Sequence, residues 1–162
     1  MILIITTGGT IEGIEYTSES ENEGTLVSIQ RILQNVNISQ EYQIEKAFSK
    51  DSRFITNEDR EILQEKIVNE NSNLILITHG TITMIETAIY LGKHNIDKTI
   101  VLVGSFILGT DPKSDATFNL GFALKTLQTL EKGVYIAMHG EIFNWDNVRK
   151  NTAEKRFEKI LN

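Results

Sequence analysis

The chain has 162 residues, 40% hydrophobic and 23% charged, with 16 Lys+Arg against 22 Asp+Glu and a formal net charge of −6. That length suits one compact domain that buries a core without disulfide or metal staples, and the absence of cysteine excludes a disulfide framework, thiolate zinc sites and a cysteine nucleophile. The acidic balance, with no block of Lys or Arg, gives no footprint for nucleic acid, and no apolar run approaches the ~20 residues of a membrane span.

The first expected element is a strand over Ile2 to Ile5, closed by Thr6-Thr7-Gly8-Gly9-Thr10. The N-terminus lacks the basic region and small-residue cleavage site of a signal peptide, so a cytoplasmic location is expected. Residues 13–25, rich in Glu, Ser, Asn and Gly, read as a mobile loop. A helix over 26–33 carries Val27, Ile29, Ile32 and Leu33, and a weaker strand lies around Tyr42 to Phe48. The next helix, 57–69, follows Thr56, which with Asp59 makes a capping box, and carries Ile62, Leu63, Ile67 and Val68.

A second clear strand is Leu74 to Ile77, closed by Thr78-His79-Gly80-Thr81. The spacing of Ile82, Ile85 and Ile89 predicts a helix over 82–91 with one apolar face. A strand over Ile100 to Val103 ends in Gly104-Ser105, and a helix over 114–131 carries Phe118, Phe122, Leu124, Leu127 and Leu130. The last strand, Val134 to Met138, ends in His139-Gly140. The charged stretch from Asp146 is expected to be helical, packing through Val148, Phe157, Ile160 and Leu161. Continuous rather than alternating apolar runs indicate strands buried on both faces, and strand alternates with helix throughout. The fold is therefore α/β with a mostly parallel sheet.

In open α/β sheets ligands bind beyond the carboxyl ends of the strands. Thr10, Thr81 and Ser105 each stand there, directly after Gly9, Gly80 and Gly104. Glycine lets backbone approach a ligand closely, and helix N-termini offer free N–H groups to an anion. Gly and Thr also end strands and cap helices in any α/β protein, so both readings stay open. A threonine nucleophile needs a neighbouring base and donors for an oxyanion. Spacing alone does not say which Lys approaches Thr10 or Thr81.

At these residues the chain resembles the bacterial-type L-asparaginase/glutaminase family of threonine amidohydrolases. The resemblance rests on ITTGGTIEG at 5–13, KDSRFITNED at 50–59 and ITHGTITMIETA at 77–88. It continues through KTIVLVGSF at 98–106, SDATFNLGFAL at 114–124 and EIFNWDNVRKNT at 141–152. The motifs follow the family's order and spacing across nearly the whole chain, over the family's N-terminal domain only. The resemblance implies an α/β, flavodoxin/Rossmann-like three-layer sandwich, its mostly parallel sheet flanked by helices on both faces. It also implies a single domain over 1–162, with the family's smaller C-terminal domain absent.

Carried over by position, Thr10 matches the residue that attacks the side-chain amide. Thr81 matches the second threonine of the site, and Lys150 falls where the family has the lysine that serves it. Tyr16 is matched to the loop tyrosine that closes over Thr10. Ser52 matches the serine that binds the substrate α-carboxylate, and Gly9, Gly80 and Ser105 line the pocket. Buried near Thr81, Lys150 would have a lowered pKa and accept a proton. The implied substrate is a small amide such as asparagine, with no cofactor and no metal, and the implied assembly is a homo-oligomer, a dimer or larger.

Two positions depart from the family pattern. Where the family has an Asp after the second threonine, which grips the substrate's α-amino group, this chain has Ile82. Where the family often has Gln or another small polar residue, it has Arg53, a bidentate carboxylate binder with bulk enough to fill the pocket. Glu86, one turn along the helix expected to begin at Ile82, is either a substitute carboxylate or an ordinary helix residue. Asp115 reads as structural, Glu12 and Glu15 as solvated loop residues. His79 and His139, both at strand ends, are more readily hydrogen-bonding or packing groups than metal ligands. Phe143 and Trp145 read as packing a hairpin or an oligomer interface. Three functions stand side by side: an asparaginase-like hydrolase, a hydrolase of an amide or ester lacking the α-amino group, and a non-catalytic member that binds a small molecule or a protein.

Overall fold

The computed structural model describes residues 1–13 and 26–161. Most of the expected loop at 13–25, with Glu15 and Tyr16, lies outside the described residues. The strands are β1 (Ile2–Thr6), β2 (Tyr42–Lys46), β3 (Leu74–Thr78), β4 (Thr99–Val103), β5 (Gly133–Met138) and β6 (Glu141–Asn144). They form one sheet in the order β2-β1-β3-β4-β5-β6, parallel except for β6. The helices are α1 (Leu26–Asn35), α2 (Asn57–Asn69), α3 (Met84–Lys93) and α4 (Ala116–Leu127).

Two cores follow from the alternation of side chains along buried strands. Leu3, Ile5, Ile75, Ile77, Ile100 and Leu102 face α2 and α3, packing on Leu63, Ile67, Met84, Ala88 and Leu91. On the other face Ile2, Ile4, Leu76, Val101 and Val103 meet Ile29, Ile32 and Leu33 of α1 and Leu120, Ala123 and Leu127 of α4. The molecule is thus the three-layer α/β sandwich with helices on both faces. Because the chain runs from β1 outward to β2 and then crosses to β3, strand order reverses between β1 and β3. That reversal leaves a crevice at their carboxyl ends.

The capping box is present: Asp59 N donates to Thr56 Oγ1 at 3.3 Å and Thr56 N to the Asp59 carboxylate at 2.8 Å. It starts α2 at Asn57 and contributes about 1 kcal/mol. Within α2 only Leu63 and Ile67 of the expected apolar set are buried, while Ile62 and Val68 are more than half exposed.

Three expectations are corrected. Ile82 is not helical: α3 begins at Met84, and its buried face is Met84, Thr87, Ala88 and Leu91 rather than Ile82, Ile85 and Ile89. With the helix starting at Met84, the set at i, i+3, i+4 and i+7, Met84, Thr87, Ala88 and Leu91, is the one that faces the sheet. Phe118 points outward, 61% exposed and stacked on Phe122, instead of packing in the core.

The C-terminal stretch is not a helix but an antiparallel hairpin, β7 (Arg149–Asn151) and β8 (Arg156–Glu158). Arg149 and Asn151 reach across from β7, and Arg156 from β8 itself, to the Glu158 carboxylate. Lys155 turns the chain at φ 48°. Val148 and Phe157 are buried as expected, but Ile160 and Leu161 are exposed. Phe157 packs on Phe143, whose ring centroid lies 6.4 Å away, and Trp145 lies over Gly92, where a Cβ would come within 2.3 Å of the indole. No described helix is long and apolar enough to cross a membrane.

Candidate active site

The crevice between the ends of β1 and β3 is lined by Gly9, Thr10, Asp51, Ser52, Gly80, Thr81 and Ile82. Three segments meet there with almost no room between them. A Cβ on Gly9 would lie 2.5 Å from Gly80 N, and one on Gly80 would lie 2.5 Å from Ser52 Oγ. Gly9 also sits at φ 86°, a conformation that L side chains rarely adopt. Both glycines are therefore required by the close packing of the turns that carry Thr10 and Thr81.

Thr10 opens a 3-10 turn over Thr10–Glu12, and its carbonyl accepts from Gly13 N and Gly109 N, both at 2.9 Å. The side chain is 6% exposed, and Thr81 is 4% exposed. Lys150 reaches in from β7, a chain separation of 69 residues, and its Nζ donates to Thr81 Oγ1 at 3.0 Å and to Thr81 O at 3.2 Å. Burial holds the Lys150 ammonium below the usual lysine range, and the Glu86 carboxylate partly opposes this. Glu86 lies in the first turn of α3 and is exposed. The helical angle that would have related it to Ile82 does not exist, yet its charge does act on Lys150.

Ser52 is buried, and its carbonyl accepts from Thr83 Oγ1 at 2.6 Å, which ties the segment after β2 to the turn after β3. Ile82 is 39% exposed and presents an aliphatic wall to the crevice. Arg53 does not fill the pocket. Its guanidinium turns back on the Asp51 carboxylate through Nε at 3.1 Å and a terminal nitrogen at 3.2 Å, and lies over Phe54. Ser105 is buried outside the lining set, its hydroxyl donating to Ile107 O at 2.6 Å. Tyr16 falls outside the described residues.

Asp51 is a site residue that sequence reasoning missed, and Glu12, beneath the Thr10 turn, is one it misread. Asp51 lines the crevice and accepts from Arg53 N at 2.9 Å, an N-cap contact that an Asp ahead of a short turn could have signalled. Glu12 is 3% exposed, not solvated. Its Oε1 accepts from Gly8 N at 2.9 Å and from Thr78 Oγ1 at 2.5 Å. Burial pushes its carboxyl up to about 7 against the hydrogen bonds from Thr78 and Gly8 and the charge of Lys46.

The histidines do not meet. His79 is fully buried, its Nδ1 2.8 Å from Gly80 O and its Nε2 2.9 Å from Thr87 Oγ1, which in turn accepts from Arg60 Nε at 3.1 Å. Donation from Nδ1 to the carbonyl leaves Nε2 to accept from Thr87. Burial drives the imidazole down to about 4, so it is neutral at pH 7. His139 pairs instead with Asp115 at 2.8 Å. Asp115 is structural as expected: burial alone would raise it, but His139 and the N–H groups of Phe106 and Ile107 outweigh that and hold it low. Among the described residues no group of three or more His, Cys, Asp or Glu is placed to hold a metal ion.

The model of the family described as Asparaginase, N-terminal, matches residues 1–158. The glutaminase-asparaginase of Pseudomonas fluorescens biotype A is 30% identical over 162 residues, which take in 92% of this chain and 45% of that protein. The probable cytoplasmic L-asparaginase of Campylobacter jejuni superposes with a TM-score of 0.79 at 30% identity, over 98% of this chain and 51% of that one. The thermostable L-asparaginase of Thermococcus kodakarensis gives a TM-score of 0.83 at 28% identity, over 99% of this chain and 51% of that one. The chain thus spans about half the length of the relatives it matches.

Proposed function

We propose, from the premise that this chain belongs to the asparaginase family along its N-terminal domain, that it hydrolyses a small primary amide to the acid and ammonia through Thr10. The observation that carries the reading is the Lys150 Nζ hydrogen bond to Thr81 Oγ1 at 3.0 Å, beside the crevice that Thr10 lines. A lysine held below its usual pKa by burial is the base that a threonine hydroxyl needs. Thr10 Oγ1 adds to the amide carbonyl, and its proton passes by way of Thr81 to neutral Lys150. The same proton then goes to the departing nitrogen, which leaves as ammonia. Water attacks the resulting Thr10 ester by the reverse relay and frees the acid. The glycine-rich turns bring backbone close to the carbonyl oxygen, the placement that favours a developing negative charge.

The experiment is ammonia release from asparagine and glutamine by the purified chain, with Thr10→Ala as control. Release that disappears in the control supports a threonine nucleophile. Equal release in both sinks it.

A second reading is favoured by Ile82. An ammonium group in this crevice would need a free carboxylate; Ile82 offers none, and Asp51 is already bound by Arg53. The substrate is then an amide without a free α-amino group, such as succinamate. Ile82→Asp separates the two: on the second reading it raises hydrolysis of asparagine well above wild type while lowering that of succinamate. An unchanged ratio removes the second reading.

A further inference from the structure

We propose that Glu12 is a positioning residue of the Thr10 turn: its neutral carboxyl ties that turn to the end of β3, and loss of its proton releases the tie. The inference rests on the reading of Thr10 as nucleophile only for its consequence in the reaction. Glu12 does not line the crevice, so it is placed to act through Thr10 and not on substrate. One oxygen, Oε1, takes both Gly8 N–H, four residues back in the same turn, and Thr78 Oγ1, 66 residues away on β3. Thr7 adds a second link to the same strand, its hydroxyl donating to Thr78 O at 2.7 Å. Gly8, Gly9 and Thr10 are therefore enclosed in a loop closed by the Glu12 side chain.

Among the described residues the other oxygen, Oε2, is buried with no hydrogen-bond partner. An ionised carboxylate holds that position at a cost, because burial outweighs the hydrogen bonds that Thr78 and the Gly8 and Thr7 backbone offer it. The surroundings offer little relief. The ends of β1 and β3 bring Thr6, Thr7 and Thr78, and among the described residues Thr6 Oγ1 is itself without a hydrogen-bond partner. The described side chains that α1 buries on this face are Ile29, Ile32 and Leu33, and the segment across the turn brings Gly109 and Thr110. Among the described residues Lys46, at the end of β2, is the charged group that acts on Glu12, and it does not outweigh burial. When the proton leaves, the low-energy course is for the turn to lift from Thr78 and let the carboxylate reach water. Thr10 moves with it.

The test uses amide hydrogen exchange of the segment spanning Gly8 to Glu12, read against β4 at each pH so that the intrinsic dependence of exchange cancels. In wild type the ratio is expected to rise several-fold per pH unit between pH 5 and 7 and to level off above 7, as the ionised, open form gains population between the carboxyl's ordinary pKa and its raised one. In Glu12→Gln, which keeps the Oε1 acceptor and has no proton to lose, the ratio stays flat. The same slope in both proteins overturns the proposal. If Glu12→Gln fails to fold, a carbon-13 titration of the assigned Glu12 carboxyl in wild type decides. A midpoint near 7 supports the proposal, and one in the ordinary glutamate range overturns it. Neither measurement needs turnover, so an inactive chain leaves this test standing, and a failed test leaves the threonine reading untouched.

Discussion

The turns after β1 and β3 look alike in sequence, Thr7-Gly8-Gly9-Thr10 and Thr78-His79-Gly80-Thr81, yet they are held by opposite chemistry. The first is locked by a buried acid, Glu12, whose carboxyl is raised to about 7 by burial. The second is locked by a buried base, His79, lowered to about 4 by burial and bridging Gly80 O to the Thr87–Arg60 pair. The same physical cause, removal from water, makes both groups neutral and gives them opposite pH dependences. Raising the pH from 4.5 to 7 weakens the hold on the Thr10 turn, whereas lowering it from 6.5 to 4 weakens the hold on the Thr81 turn.

The largest way to break this comparison removes the cation that serves only the second turn. Lys150→Met is expected to cut amide hydrolysis by about 100- to 10,000-fold, the usual worth of a general base, with the fold intact by circular dichroism. In wild type, activity should rise with pH through the lysine's lowered pKa, since only the neutral amine accepts a proton. That limb should vanish in the variant.

Stability against pH sharpens the comparison next. Glu12 has a folded pKa above its ordinary 4.5, so the folded state holds the extra proton. Wild-type stability from this group therefore falls as pH rises from 4.5 to 7, by about 3 kcal/mol, and is constant above. Relative to wild type, Glu12→Gln should gain that amount over the window, measured by urea unfolding at stepped pH.

His79 runs the other way. Its folded pKa lies below the ordinary 6.5, so its contribution falls as pH drops from 6.5 to 4, again by about 3 kcal/mol. Over the shared range from 4.5 to 6.5 the two dependences oppose each other, and the wild-type profile from these groups is nearly flat. His79→Gln should restore a slope there and cost about 1–3 kcal/mol at pH 8 for the lost bridge between Gly80 and Thr87. A flat profile in both variants would mean that the two turns do not differ as described.

Much of this was legible in the chain. Continuous apolar runs closed by Gly with Thr, Ser or His located β1, β3, β4 and β5, because a strand buried on both faces has no polar alternation. Thr56 and Asp59 placed the start of α2 correctly, since a capping box is a local contact. The C-terminal hairpin was misread because its charges suggested an exposed helix. Its signal was the period of two, with Phe157 buried between Arg156 and Glu158. Ile82 was misread because its spacing to Ile85 and Ile89 suited a helix that starts two residues later.

What the sequence by itself determined is the α/β order, the glycines that let two turns approach, and a Thr at the tip of each. Those are set by period and by backbone conformation, which act over a few residues. Only the tertiary structure decided that Lys150 meets Thr81 across 69 residues, that Arg53 is taken up by Asp51, and that Glu12 is sealed beneath its own turn. Burial and pairing of that kind depend on what other strands and helices bring to the same place. A glutamate in a Gly-rich loop reads as solvated until β3 supplies Thr78 and the folded turn shuts it off from water.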